Sequence, residues 1–481
     1  MNLQAFVALS PLLVLSAGAV VLMLQLAVKR STTRAYYISL LSFIGAGAAS
    51  IWALPATPLQ VTPLLLADTY ALFFSLLFCF CGAATAAISR DYLLQKEGQN
   101  EEFFLLLILS TLGALTLVYA THLASLLLGL ELLGVALYAL IAYPDRGTLP
   151  LEAAIKYLVL SGAASAIFLF GFALLYAATG ALSYDTIGQA ALAATPHNAP
   201  LMLAGAAMII TGLGFKLSAV PFHMWTPDVY EGAPAPVSGY LSAVSKTAVF
   251  AAILRWWLQS ELHVFPSLLA AVALLAGASM LVGNLLALLQ ENVKRVLAYS
   301  SIAHIGYLMI MLVASGVAPQ PGLAIEAACY YLVAYAITTL AAFSLLGLIS
   351  QDSGDVDRDQ LKHLQGLFWR DPLLALLFTV ALLSLAGIPL TAGFIGKFYL
   401  FVGAVDQALW GLLGMLVIGS AISIYYYLRI VYTMTRPQEN TVDSVIRTSL
   451  SGRLVVLSLI IAMLYLGVVP EPLMGYLRTI L

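Results

Sequence analysis

Four charged residues stand in the middle of long apolar stretches of this 481-residue chain: Glu131, Lys216, Lys246 and Lys397. A bare charge at the centre of a bilayer costs about 2.5–3.5 kcal/mol on insertion scales, so such residues are rarely retained for structure alone. Burial makes a lysine a weaker base that can bind and release a proton near neutral pH, and a nearby carboxylate reverses this effect. Lysines and a glutamate joined by trapped water would therefore form a relay for protons.

Three more residues are candidates for the same relay: Lys156, His223 and His304. Histidine titrates near neutral pH and can pass a proton, although a lone histidine among apolar residues is more often a hydrogen-bonded packing element. Lys156 lies close to a helix end, as do Arg255 and Arg429, where a long side chain can instead reach water by snorkelling. Both the relay role and the structural role stay open for these three candidates.

The composition indicates that most of the chain lies in lipid. Hydrophobic residues make up 62% and charged residues 9% of the chain, against about 45–50% and about 25% in soluble proteins. A helix needs about 20 apolar residues to cross the hydrocarbon core, and the chain offers about 14 such runs. These runs are too long and too uniformly apolar for an outer-membrane barrel, so we predict an all-α polytopic membrane protein. The predicted spans, numbered 1 to 14 in chain order, are Phe6–Val28, Tyr36–Leu54, Ala71–Ser89, Phe103–Ala120, His122–Ala142, Lys156–Thr179, Leu201–Trp225, Val237–Leu258, Ser267–Gln290, Leu297–Ser315, Leu323–Ile349, Leu373–Val405, Leu409–Met434 and Leu454–Val469.

The positive charges of the loops predict the orientation of the chain. Loops after even-numbered spans carry no Lys or Arg, whereas loops after odd-numbered spans carry all of them. Positively charged loops stay in the cytoplasm, so we predict that both termini lie on the outer side. The charges concerned are Lys29, Arg30, Arg34, Arg90, Lys96, Arg146, Lys294, Arg295, Arg358, Lys362, Arg370, Arg436, Arg447 and Arg453.

Two spans carry the same irregularity. Span 7 has Pro221 close to Lys216, and span 12 has Pro389 close to Lys397. Proline removes a backbone donor and clashes with the preceding turn, so both helices should break near the middle of the membrane. Paired breaks are typical of repeated transporter halves, and breaks five spans apart, an odd number, require inverted repeats. We predict spans 1 to 3 in residues 1–100, inverted five-helix repeats in residues 101–260 and 261–436, and span 14 in residues 437–481.

The sequence gives no indication of a cofactor or metal site. The three cysteines, Cys79, Cys81 and Cys329, lie in apolar runs without CxxC spacing, which argues against an iron–sulfur cluster or a zinc site. No GxGxxG or GxxxxGK[ST] run indicates a nucleotide. A net charge of −2 excludes a polybasic surface for nucleic acid. We therefore predict no cofactor, no metal and no nucleic-acid partner for this chain.

Three strings carry a family resemblance: FKLSAVPFHMWTPDVYEGAPAPVSGYLSAVSK (Phe215–Lys246), NVKRVLAYSSIAHIGY (Asn292–Tyr307) and SLAGIPLTAGFIGKF (Ser384–Phe398). They resemble the antiporter-like subunits of respiratory complex I, and within these the subunit N family of bacterial NADH:quinone oxidoreductase. The resemblance covers nearly the whole chain, and its first string is highly specific.

The resemblance implies a subunit of the bacterial inner membrane that moves protons, while other subunits hold NADH, FMN, iron–sulfur clusters and quinone. The other membrane-arm subunits, especially the antiporter-like ones, would be its partners. By the same resemblance, Glu131 pairs with Lys216, Lys246 is the central lysine, and Lys397 lies toward the outer exit. Further polar positions of the family's hydrophilic axis match Lys156, His223 and His304. A cation/proton antiporter subunit and a non-transporting scaffold are the alternatives.

Overall fold

The computed structural model describes residues 3–94, 100–143, 148–318, 320–350, 357–437 and 449–480, so that Lys96, Arg146 and Arg447 lie outside the described residues. Thirteen of the described helices are long and apolar enough to cross a membrane, and span 12 adds an interrupted helix. The prediction of an all-α polytopic membrane protein with about 14 spans is therefore confirmed. The spans are Ser10–Val28, Thr32–Trp52, Thr69–Leu94, Glu102–Tyr119, Leu123–Ile141, Thr148–Thr179, Ala199–Leu217, Ala235–Gln259, Pro266–Leu288, Val293–Val317, Gly322–Ile349, Pro372–Ala386 with Ala392–Asp406, Trp410–Thr435 and Leu450–Val468.

Short elements fill the connections between spans. Two antiparallel strands, β1 (Leu59–Thr62) and β2 (Leu65–Ala67), form a small hairpin after span 2. The hairpin is absent from the sequence-based prediction, which places only a loop there. The short helices are Leu3–Ala8, Leu54–Ala56, Tyr184–Leu192, Trp225–Gly232, Leu262–Val264, Leu361–Leu364, Leu367–Arg370 and Glu471–Ile480.

Spans 8, 10 and 11 form the core of the bundle. Nearly every side chain of these three helices is buried inside the protein, whereas most side chains of spans 1, 6, 13 and 14 face outward. A charged residue on span 8 or span 10 is therefore shielded from lipid by other helices. Lys246 lies on span 8 and is 1% exposed.

Both predicted helix breaks are confirmed. Span 7 ends at Leu217, and Ser218 adopts a left-handed conformation with φ 65° before the turn that contains Pro221. In span 12 the first half ends at Ala386, and Gly387 has φ 86°, a conformation that glycine adopts without strain. At the break of span 12 the carbonyl oxygen of Ala386 is left free to bond to Lys397, as the proline position predicts.

Span 8 contains an irregularity that the sequence did not predict. Residues Leu241–Ser245 form a wide π turn between the α-helical segments Ala235–Tyr240 and Lys246–Gln259. Single π turns inside α-helices are uncommon and occur frequently at functional sites. The turn ends directly before Lys246.

Glycines allow equivalent helix pairs in the two predicted repeats to cross closely. A β-carbon at Gly113 of span 4 would lie 2.4 Å from the backbone nitrogen of Leu133 on span 5. A β-carbon at Gly283 of span 9 would lie 2.8 Å from the backbone nitrogen of Ala303 on span 10. This correspondence agrees with the five-helix repeats, whose boundaries and inverted relation stay a prediction.

Replacing Gly393 by alanine is expected to destabilise the break of span 12. A β-carbon at this position would lie 1.9 Å from the carbonyl oxygen of Ser384, so the two halves of the span would have to move apart. Overpacking of this kind typically costs about 1–3 kcal/mol. The midpoint of thermal unfolding of the purified protein measures the effect. Gly414→Ala is the matched control, because no heavy atom lies within 4 Å of a β-carbon there, and an equal loss in both variants would contradict the close approach at Gly393.

Candidate functional site

Lys216 lies in a buried cluster between spans 5, 6 and 7. Its Nζ donates a hydrogen bond of 2.6 Å to Oγ of Ser161 on span 6, and the hydroxyl of Tyr138 donates to the same oxygen at 2.6 Å. A β-carbon at Gly134 would lie 3.5 Å from Nζ, which places the ammonium against span 5. The ammonium of Lys216 therefore lies inside the protein rather than in lipid.

Glu131 lies one turn before Gly134 on span 5 and is half-buried. Its carboxylate accepts a hydrogen bond of 2.6 Å from Ser165, which stands one turn after Ser161 on span 6. Glu131 and Lys216 form no ion pair in the described part of the chain. The structure thus differs from the direct pairing that the resemblance implies, because the two serine hydroxyls hold the charged groups instead.

Lys246 lies at the centre of the bundle and bonds to span 10. Its Nζ donates a hydrogen bond to Oγ of Ser301, and the ring of Tyr230 lies 5.4 Å from Nζ. Ser301 also accepts a hydrogen bond of 2.8 Å from Tyr335 of span 11, whose hydroxyl lies 2.8 Å from Oγ of Ser242. The ammonium is therefore held by hydroxyl groups, and among the described residues it has no carboxylate partner within ion-pair distance.

His304 continues this polar path toward span 12. Its Nδ1 lies 2.6 Å from the hydroxyl of Tyr331, and its ring lies 5.5 Å from that of Tyr335. A cavity with about 10 Å³ of room for the centre of a water molecule separates these side chains from the break of span 12. This volume is at the lower limit for one water molecule, whose centre needs about 10–15 Å³. The cavity is lined by His304, Tyr331, Ala334, Tyr335, Thr338, Ser384, Leu385 and Gly393.

Lys397 lies on the far side of the same break. Its Nζ donates a hydrogen bond of 2.9 Å to the carbonyl oxygen of Ala386, which ends the first half of span 12. The ring of Tyr307 lies 5.3 Å from Nζ and presents its face to the cation. The interrupted helix thus supplies the unpaired carbonyl that holds the buried ammonium, as expected where a helix breaks inside a membrane protein.

His223 lies in the turn after span 7 and is buried. Neither ring nitrogen makes a well-aligned hydrogen bond among the described residues, but the backbone of Pro221 is close enough to interact with the ring, and Lys246 is one of its electrostatic neighbours. The interaction with the Pro221 backbone is compatible with the packing role of a lone histidine, so the relay role of His223 stays a prediction.

Lys156 lies apart from the buried path, in a cluster of ion pairs at the surface. Its Nζ lies 2.7 Å from Glu152 and 2.9 Å from Asp228, and its side chain is 41% exposed. Arg295 of span 10 contacts the same Asp228 at 2.8 Å. Burial raises the pKa of Asp228, but hydrogen bonds from Lys156 and Arg295 outweigh burial and hold the pKa below its usual range. The structure brings Lys156 into contact with neither Lys216 nor Lys246.

The snorkelling prediction for Arg255 is wrong. Its side chain is 6% exposed and donates two hydrogen bonds of 2.7 Å to the carboxylate of Asp68. A half-buried acidic partner from the loop before span 3 holds the guanidinium, and sequence spacing does not reveal this partner. Arg429 contacts the carbonyl oxygens of Leu288 and Gln290 at the end of span 9.

Sequence reasoning missed the hydroxyl groups that connect the charges. Serine and threonine are common in membrane helices, where they also bond to their own backbone, so their presence alone carries little signal. The bridging side chains are Ser161, Ser165, Ser301, Tyr331 and Tyr335. Within the described ranges no three His, Cys, Asp or Glu side chains are grouped closely enough to hold a metal ion.

Comparison with known proteins identifies the family. Residues 120–423 match the family model described as NADH:quinone oxidoreductase/Mrp antiporter, TM. A protein named NADH-quinone oxidoreductase subunit N from Methylococcus capsulatus is 46% identical over 98% of this chain and 94% of its own length. A protein of the same name from Chromohalobacter salexigens is 45% identical over 99% of both chains.

Solved structures show the same fold. A chain of respiratory complex I from Thermus thermophilus is 35% identical, with a TM-score of 0.82 over 97% of this chain and 99% of that chain. A chain of an archaeal membrane-bound sulfane sulfur reductase is 25% identical, with a TM-score of 0.86 over 99% and 96%. A chain of the Mrp complex from Dietzia is 20% identical over 100% and 97%, and its TM-score of 0.86 shows the fold alone. The family match and the identities of 45–46% along nearly the whole chain show that this chain belongs to the subunit N family of NADH-quinone oxidoreductases.

Proposed function

We propose that this chain translocates protons as a non-redox membrane-arm subunit of an NADH:quinone oxidoreductase. The observation that carries the proposal is a buried row of polar groups: hydrogen bonds join Lys246 to Ser301 and Ser301 to Tyr335, the ring of His304 lies next to Tyr335, and Lys397 is an electrostatic neighbour of His304. Buried hydroxyls and an imidazole next to two unpaired lysines provide groups that can pass a proton in steps.

In this mechanism each lysine alternates between the ammonium and the neutral amine. Lys246 releases a proton toward Ser301 and Tyr335, and the proton reaches the His304–Tyr331 pair. Water in the cavity at the break then carries it to Lys397, which has taken the neutral form. The chain exchanges no electrons, so NADH, FMN, iron–sulfur clusters and quinone act in other subunits.

We assign the remaining candidates to the uptake side of this path. Lys156 and Asp228 stand at the predicted cytoplasmic surface, where their charges would collect protons. Glu131 and Lys216 would take the proton next through the two bridging serines. His223, which is buried and has Lys246 as an electrostatic neighbour, would pass it from Lys216 to Lys246.

We infer the location and partners from the family and the charge distribution. The relatives are bacterial subunits of NADH-quinone oxidoreductase, so we place the chain in the bacterial inner membrane, in contact with other membrane-arm subunits. The positive loops predict that both termini lie on the periplasmic side.

A cation/proton antiporter subunit is the alternative, because a solved chain of an Mrp complex has the same fold. A site for Na⁺ or K⁺ requires several oxygen ligands. The oxygens around Lys246 and Lys397 belong to hydroxyl and carbonyl groups that bond to the ammonium instead. The geometry therefore favours protons as the transported ion.

The experiment that tests the function compares proton uptake with and without alkali cations. The whole complex is reconstituted in proteoliposomes, and NADH-driven proton uptake is followed with an internal pH dye in sodium, potassium or choline buffer. We expect the same uptake per NADH oxidised in all three buffers, and a protonophore should abolish the signal. Uptake that requires Na⁺ or K⁺ would favour the antiporter function.

A further inference from the structure

A buried amide, Asn284 of span 9, is bonded to the tyrosine whose ring faces Lys397. Its Nδ2 donates hydrogen bonds of 2.9 Å to the hydroxyl of Tyr307 and of 2.7 Å to the carbonyl oxygen of Met280. Its Oδ1 accepts a hydrogen bond of 3.0 Å from the hydroxyl of Tyr426 on span 13. Asn284 is fully buried, so its amide joins spans 9, 10 and 13 inside the protein.

Close packing around this amide restricts the position of Tyr307. A β-carbon at Gly419 of span 13 would lie 2.7 Å from Nδ2 of Asn284 and 2.9 Å from the hydroxyl oxygen of Tyr307. A β-carbon at Gly306, the residue before the tyrosine, would lie 2.8 Å from the backbone nitrogen of Met280. Neighbouring helices therefore confine both the hydroxyl end and the backbone of Tyr307, as expected in a densely packed interior.

Few groups stabilise the ammonium form of Lys397. Its Nζ donates to the carbonyl oxygen of Ala386, and the ring of Tyr307 lies 5.3 Å away. Among the described residues no acidic side chain is an electrostatic neighbour of this lysine, whereas His304 is one and becomes positive when it carries a proton. The face of an aromatic ring attracts a cation, and the attraction is stronger where water is excluded. The ring of Tyr307 therefore supplies the attraction that a carboxylate would otherwise provide.

We propose that the ring of Tyr307 favours the loading of a proton onto Lys397, and that Asn284 is the positioning residue that holds this ring in place. This inference rests on the proposed function. In the loading step an N–H bond forms at Lys397 as an O–H bond of a water molecule breaks, and that water takes a proton from the protonated ring of His304. No electron is transferred. The ring of Tyr307 forms no bond to the proton, and it acts by attracting the ammonium that the step produces.

The test of the ring varies its charge distribution at nearly constant size. Phenylalanine, and phenylalanines with one, two and three ring fluorines, are placed at position 307 in the whole complex, and NADH-driven proton uptake is measured in proteoliposomes. Each fluorine withdraws negative charge from the face of the ring. We expect Tyr307→Phe to keep most of the uptake and the rate to fall stepwise with the number of fluorines. Tyr307→Leu should be about 5–30-fold slower than the unmodified complex, the range expected for a cation–ring contact away from water.

Asn284→Leu tests the positioning role. It leaves the buried hydroxyl of Tyr307 without its donor, which is costly, so the ring should turn away from Lys397 and uptake should fall several-fold. Adding Tyr307→Phe removes that hydroxyl, so uptake should recover to the level of Tyr307→Phe alone. A purely structural role of Asn284, through its bond to Tyr426, would not be restored by a change at position 307. Where Asn284→Leu does not assemble, Asn284→Ala removes the same donor with less bulk and is combined with Tyr307→Phe in the same way.

Tyr330→Leu is the matched control for the loss of a buried tyrosine ring. Tyr330 of span 11 is fully buried, and its hydroxyl donates a hydrogen bond of 2.7 Å to the carbonyl oxygen of Leu466. It is not part of the proposed proton path, so we expect normal uptake per NADH oxidised. A native gel establishes the assembly of every variant before uptake is compared.

Equal uptake across the fluorine series, or a Tyr307→Phe complex as slow as Tyr307→Leu, would overturn the role of the ring. Normal uptake in Asn284→Leu, or a double variant that does not recover, would overturn the positioning role. Lys397→Ala distinguishes these failures from failure of the proposed function. Loss of uptake in Lys397→Ala with a flat fluorine series would reject this inference alone, whereas normal uptake in Lys397→Ala would reject the proposed function itself.

Discussion

Replacing Lys246 by methionine is expected to slow coupled NADH:quinone turnover by about 100-fold or more, the loss typical of removing a positioned proton-transfer group. The side chain is 1% exposed and bonds to Ser301, so every proton on the proposed path must pass this amine. Methionine keeps the length and the apolar stem while it removes the ionisable group. Turnover and proton uptake are measured on the purified complex after a native gel has established its assembly.

Lys362→Met is the matched control for this variant. Lys362 is exposed on the connector before span 12 and is not part of the proposed proton path. We expect the Lys362→Met complex to catalyse NADH:quinone turnover at the normal rate. An assembled Lys246→Met complex that pumps at the normal rate would contradict the relay.

Replacing Lys397 by arginine is expected to abolish proton uptake almost as completely as replacing it by alanine. Arginine keeps the positive charge beside the carbonyl of Ala386 and the ring of Tyr307, but it does not release a proton at any relevant pH. The comparison therefore separates a lysine that exchanges protons from one that only supplies charge. Proton uptake per NADH in proteoliposomes is the measurement.

A static role for Lys397 predicts a different result for the arginine and alanine variants. If Lys397 were a static cation at the break, arginine would preserve uptake while alanine would not. Assembly of both variants is checked by the same native gel, because the β-carbon position of Gly387 lies only 2.9 Å from Cδ of Lys397 and leaves little room for a larger side chain.

The features that could be predicted from the sequence are those with a strong local cause. Uninterrupted apolar runs predict the spans, since backbone groups in lipid must be satisfied inside each helix. Pro221 and Pro389 predict the two breaks, because proline cannot continue the hydrogen-bond ladder. The lysines within the apolar runs can also be recognised from the sequence, because a charged side chain in lipid carries a large energetic cost.

The features that could not be predicted depend on contacts between distant parts of the chain. Asp68 and Arg255 are 187 residues apart and meet only after folding. Ser161 and Ser301 resemble many other hydroxyl residues until a lysine lies beside them. The π turn at Leu241–Ser245 has no proline at its position, so the sequence carries no local signal for it.

Both ends of span 8 are held by contacts with other parts of the chain. The backbone nitrogen of Ala235 donates to Asp357 at 3.1 Å, and Arg255 is clamped to Asp68, so the helix cannot slide like a piston. A π turn carries one surplus residue, and when such a turn migrates along a helix, the residues it passes rotate by about 100° while the ends stay fixed. The surplus residue lies directly before Lys246. The amine of Lys246 is therefore the first charged group that such a migration would rotate about the helix axis.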